Sequence, residues 1–195
     1  MRSLEASGAL PKLDRGPTVE GVDANRNGVR DDIDQFIEHS YTSEPERRAA
    51  RQLAANIQKS LVVDKQDRAA LKAVSIEGIR AVHCVYLRFR GANDAKRAGA
   101  VIYDLEAVTA NTKARLLAYL AYNRAMDGSS SSLPEEDTCK CLCSQLVRPA
   151  LRSASTGAKW HRRANEVRGV LPRAQLLECA PCARHPAACQ GGQPT

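Results

Sequence analysis

The sequence predicts an all-α fold: a bundle of four or five helices preceded by a loop and followed by an irregular C-terminal tail. Three observations carry that expectation. Apolar residues recur at three- and four-residue spacing in successive stretches from Ile33 to Tyr122. Helix-starting residues stand ahead of several of them, and no stretch shows the strict alternation of a half-buried strand. With 195 residues, the chain is long enough to bury one sizeable core.

Residues 1–20 read as an irregular lead, broken by Pro11, Gly16 and Pro17. After a polar loop, Ile33, Phe36, Ile37 and Tyr41 form the stripe of a first helix, with Asp31, Asp32 and Asp34 favouring its N-terminal dipole. Ser43-Glu44-Pro45-Glu46 has the form of a capping box with proline in the first turn. It opens a second helix to about Val62, buried through Leu53, Ile57 and Leu61. Asp64 is the expected cap of a third helix, from about Lys65 to Arg90, through Leu71, Val74, Ile79, Val82, Val85 and Leu87. Gly78 is a candidate kink within it. Asn93 or Asp94 starts a fourth helix through Val101, Ile102, Leu105 and Val108, and Thr109-Ala110-Asn111-Thr112 breaks or bends it. A fifth runs through Leu116, Leu117, Leu120 and Tyr122 and ends at Gly128. The bundle with its loop thus spans residues 21–128, and residues 129–139 form an exit segment.

The loop ahead of the first helix is the most specific feature. Gly21-Val22-Asp23-Ala24-Asn25-Arg26-Asn27-Gly28-Val29-Arg30-Asp31-Asp32-Ile33-Asp34 sets short oxygen-bearing side chains at alternate positions, then a glycine, then carboxylates. A hard cation such as Ca²⁺ takes six to eight oxygens, which a twelve-residue loop supplies from positions 1, 3, 5, 7, 9 and 12. Counted from Asp23, these are Asp23, Asn25, Asn27, the Val29 carbonyl, Asp31 and Asp34, with Gly28 at the sharp turn of position 6. The competing reading is a run of Asx turns needing no metal. Asp34 is shorter than the usual glutamate, Arg26 and Arg30 add positive charge, and the sequence offers no second loop to pair with. The expected affinity therefore falls at the weak end, with Kd about 10⁻⁴–10⁻³ M, suited to a structural ion rather than a cytosolic sensor.

The net charge of +7 is unevenly placed. Residues 1–139 hold 20 basic and 20 acidic residues, whereas residues 140–195 hold nine basic and two acidic and five of the seven cysteines. In that tail Cys179, Cys182, His185 and Cys189 are candidate Zn²⁺ ligands, with a separate C-x-C pair, Cys141 and Cys143, a long gap upstream. Arg162, Arg163, Arg168 and Arg173 around Trp160 suggest nucleic-acid contact under the same reading. The spacing matches no standard zinc module, and Leu171, Leu176 and Leu177 hardly make a core. The expectation for residues 140–195 is a disordered or non-native extension, with a cytosolic zinc- or nucleic-acid-binding protein as the alternative. Catalysis has no motif behind it: G-x-S-x-G, H-E-x-x-H and a phosphate loop are all missing. His83 and Cys84, neighbours on a helix, point about 100° apart and form no nucleophile–base pair.

Cys84 and Cys139 are the only cysteines of the neutral part. A bridge between them is expected in an exported protein, and free thiols in a cytosolic one. Residues 1–17 are too polar for a secretory leader, so the chain is either cytoplasmic or starts downstream of the true N-terminus, and no stretch suits a transmembrane helix.

The Gly21–Asp34 loop, the stretch from Thr109 to Asn123, and Asp137-Thr138-Cys139 together resemble uncharacterised exported proteobacterial proteins with a D-x-N-x-N-G-x-R-D-D segment and a helical remainder. The loop is also similar to the calcium repeats of EF-hands, dockerins and thrombospondin type 3 modules. The likeness covers roughly residues 18–139. It implies a calcium-associated periplasmic or extracellular protein, a binding or structural module with an unknown protein or envelope partner and no catalytic residues.

Overall fold

The computed structural model of the chain describes residues 5–8, 10–90 and 94–139. Five helices follow one another: α1 Asp31–Ser40, α2 Glu44–Val62, α3 Arg68–Arg88, α4 Asp94–Thr109 and α5 Lys113–Ala125. No strand occurs among the described residues, so this part of the chain is all-α as its periodicity indicates.

Helix α2 is the centre, since it packs against each of the other four. Its buried face alternates Ala49, Ala50 and Ala54 with Leu53, Ile57 and Leu61. The alanines let neighbouring axes come close while the larger residues fill the space between them. Ile33, Phe36 and Ile37 of α1, Ala81, Cys84, Val85 and Phe89 at the end of α3, and Ala98, Val101, Leu105 and Val108 of α4 complete one core. Tyr41 meets the Phe89 ring edge-on with centroids 5.1 Å apart, and the Arg97 guanidinium covers that ring at 5.4 Å.

Several helix ends differ from the sequence reading. Asp64 does not cap α3, because its carboxylate accepts the Gln66 N–H while Lys65 donates to the carbonyls of Ser60, Leu61 and Val63 at the end of α2. Asp67 caps α3 instead, accepting the Ala69 and Ala70 N–H groups at 2.9 Å each. The capping box at Ser43 is not made, since its side chain takes no cap hydrogen bond. Gly78 lies within the continuous α3, at a point of close helix approach. A Cβ there would stand 2.7 Å from Asn56 Oδ1, whose amide donates to the Val74 carbonyl. The Thr109–Thr112 segment breaks the chain into two helices, with the Thr112 hydroxyl accepting the Arg115 N–H to start α5. That helix stops at Ala125, and Gly128, with φ 75°, belongs to the turn beyond it.

The largest departure is the face of α5. Leu116, Leu117 and Leu120 are exposed, and the buried residue of the helix is Arg115. Tyr119, bonded to Glu106 of α4, and Tyr122 share that inner side only in part.

The exit segment returns to α3. Cys139 forms a disulfide with Cys84. Around it Gln52 Nε2 donates to the Thr138 carbonyl, Thr138 Oγ1 donates to the Arg80 carbonyl, and Arg88 pairs with Asp137.

Candidate metal centre

The loop from Asp23 to Asp34 folds on its own side chains. Asp23 accepts the N–H of Asn27 through Oδ1 at 3.1 Å and that of Gly28 through Oδ2 at 2.9 Å. Asn25 Oδ1 also accepts the Asn27 N–H, and Asn27 Oδ1 accepts the Val29 N–H at 2.8 Å. Asp31 Oδ1 accepts the Ala24 N–H. Gly28 has φ 86° at the position where the oxygen pattern demands a tight turn, and Arg26 has φ 56°.

Asp34 is brought to Asn27 and Asn25, whose amide nitrogens lie 2.6 and 3.5 Å from its Oδ2, and its Oδ1 receives Arg51 Nε at 3.2 Å. The structure therefore gathers five of the expected side chains into one connected loop, with the Val29 side chain buried beneath it. It does not converge their carboxylates, and no group of three or more His, Cys, Asp or Glu residues poised to hold a metal occurs among the described residues. The donor set, all carboxylate and amide oxygen, fits a hard cation rather than Zn²⁺. Binding one would require Asp34 to give up Arg51 or the Asn27 amide. The alternative zinc residues Cys179, Cys182, His185 and Cys189 lie outside the described residues, as does Asn93.

Arg30 does not add charge to the loop. It turns inward, 1 % exposed, and grips Asp32 with Nε on Oδ1 at 2.9 Å and Nη2 on Oδ2 at 2.8 Å. Its remaining donors reach the carbonyls of Thr109 at 3.0 Å and Val108 at 3.4 Å, the last turn of α4. Such a bidentate fork with spare N–H groups is what guanidinium offers and ammonium does not. The second half of the loop is thereby tied to the core, by Val29 and by Arg30.

A second buried guanidinium secures the lead. Arg115, fully buried, donates to Asp14 Oδ2 at 2.8 Å, to the carbonyls of Asp14, Thr18 and Val19, and to Asn111 Oδ1. The Gly16 N–H and Arg115 together hold the Asp14 carboxyl below the ordinary carboxylate range. Gly21 lies between the two arginines with φ 69°, and a Cβ there would stand 2.3 Å from Arg30 Cδ and 2.9 Å from Arg115 Nη2. Gly21→Ala is accordingly expected to cost more than the ~1 kcal/mol of an ordinary surface glycine change, read as a lowered urea midpoint.

Neither arginine network was legible from spacing, because nothing in a helical pattern marks a charged residue as inward-facing. The weak signal was Arg115 itself, which stands opposite three leucines on its helix. Between the lead and α1 an open groove of about 410 Å³ is lined by Lys12, Leu13, Asp14, Arg15, Val22, Asp31, Asp32 and Gln35. Its charges are largely committed: Asp14 to Arg115, Asp32 to Arg30, and Arg15 to Glu5.

No protein-family model, no curated protein and no solved structure matches this chain.

Proposed function

We propose that the protein is a calcium-associated helical module that works outside the cytoplasm, where the ion holds the loop leading into α1 and the bundle serves a protein or envelope partner. The observation that carries this reading is the inward turn of Arg30. With that charge spent on Asp32, the three half-buried residues Asp23, Asp31 and Asp34 share one segment with, among the described residues, Arg26 and the Arg51 contact against them. A cation of high charge and oxygen preference relieves that repulsion. Supporting the compartment, the Cys84–Cys139 disulfide belongs to an oxidising environment. The loop's likeness to calcium repeats points the same way and rests on its own residues.

The test is thermal unfolding of the full chain with excess chelator and then with about 10 mM calcium. At ten times Kd, linkage gives about 1.4 kcal/mol, a rise of roughly 3–6 °C for a chain of this size. Asp23→Ala also removes the acceptor for two N–H groups, so its melting point without calcium drops; the relevant reading is the increment with calcium, which should vanish. An undiminished increment in that variant, or none in the wild type, removes the ion from the loop.

A further inference from the structure

Helix α5 carries a second, outward-facing feature that the calcium reading does not use. Leu116, Leu117 and Leu120 are 46, 55 and 48 % exposed, on the side away from buried Arg115. At about 100° per residue, the three leucines and the cations Lys113 and Arg124 lie within roughly 60° of one line along the helix. The cations stand at its two ends. No Asp or Glu occurs anywhere in α5, and neither Lys113 nor Arg124 has an ion-pair partner among the described residues.

The charge pattern selects among occupants. Two copies joined through this stripe would set Lys113 on Lys113 if parallel, or Lys113 on Arg124 if antiparallel, and like charges in contact oppose association. What complements the stripe is a surface that is anionic at the level of the two cations and apolar just beneath. The stripe is also a convex ridge rather than a cleft, so its complement must yield to it. We propose that the outer face of α5 docks on an anionic lipid bilayer, with Lys113 and Arg124 at the headgroups and the three leucines reaching the acyl boundary. This is how helices with an apolar stripe and basic flanks lie in a membrane interface. The helix is 13 residues long and lies on the surface; no described helix is long and apolar enough to cross a membrane.

The test is sedimentation of the full chain with vesicles of phosphatidylcholine containing about one-third phosphatidylglycerol, and with phosphatidylcholine alone, in calcium-free buffer. The wild type should pellet with the anionic vesicles only, and less as salt rises. Leu117→Gln with Leu120→Gln should weaken pelleting about tenfold or more while leaving the melting point unchanged, because both side chains are exposed. Lys113→Gln with Arg124→Gln, which leaves every leucine in place, should weaken it as well. Pelleting that survives the leucine variant would assign the binding to other basic residues, such as those of the tail, and overturn the proposal. So would a wild type that stays in solution, or a dimer that the leucine variant dissociates. The loop plays no part in these readings, so the calcium proposal stands or falls separately.

Discussion

Arg30→Ala is expected to lower the unfolding free energy by about 3–5 kcal/mol, the range for removing one partner of a buried ion pair. The loss comes from what is left behind. Asp32 would keep the Asp14 N–H at 2.8 Å but lose both guanidinium contacts, and the Thr109 and Val108 carbonyls would lose a donor in a place closed to water. Arg30→Lys should recover only part of this, since one ammonium cannot form the fork and reach the end of α4 together. Urea unfolding of the three proteins measures it. A loss under about 1 kcal/mol for the alanine variant would mean that the pair contributes no more than an exposed one.

Replacing both Cys84 and Cys139 by serine is expected to cost about 4 kcal/mol, the chain-entropy value for a loop closed across 55 residues. The polar contacts beside the bridge will not compensate. Arg80–Glu136 and Arg88–Asp137 are solvent-facing pairs of small individual worth, and only the Gln52 and Thr138 hydrogen bonds reach into the packing. Without the bridge, the segment from Ser129 to Thr138 should become a preferred site of proteolysis. Oxidised and reduced wild type compared in urea give the same information without mutation. Coincident transitions would show that the bridge adds nothing to the fold.

What could be read from the sequence was whatever repeats at the period of a helix. The stripes of α1, α2 and α4 were legible because Ile33, Phe36, Ile37, Leu53, Ile57, Val101, Leu105 and Val108 all face one core, and all are buried. The loop was legible too, down to the positive φ of Gly28, because its oxygens sit at fixed offsets. The ends were harder. Asp64 and Asp67 are equally good caps in isolation, and the choice fell to Asp67 once Lys65 was drawn to the end of α2. On α5 the pattern misled, since three leucines at helical spacing suggest a core face. The bundle instead uses Arg115, whose fork satisfies carbonyls of the lead that no leucine would. Arg30 was misplaced for the same reason: a guanidinium in a cation loop looks like a competing charge until its partners, Asp32 and the end of α4, are known.

The reach of Arg115 also bears on the order in which the molecule is made. A helical bundle normally closes from neighbouring contacts and folds quickly. Here Asp14 and Arg115 are 101 residues apart, so although the lead also meets Asp32 of α1 and Gln58 of α2, its fastening to Arg115 waits for α5. A ribosome must therefore release almost the whole bundle before Arg115 can grip the N-terminal segment, and that contact is among the last made during synthesis. Interactions formed so late govern how fast the protein comes apart more than how fast it assembles. The two buried arginines thus act as a slow-release fastening on a body that otherwise collapses locally.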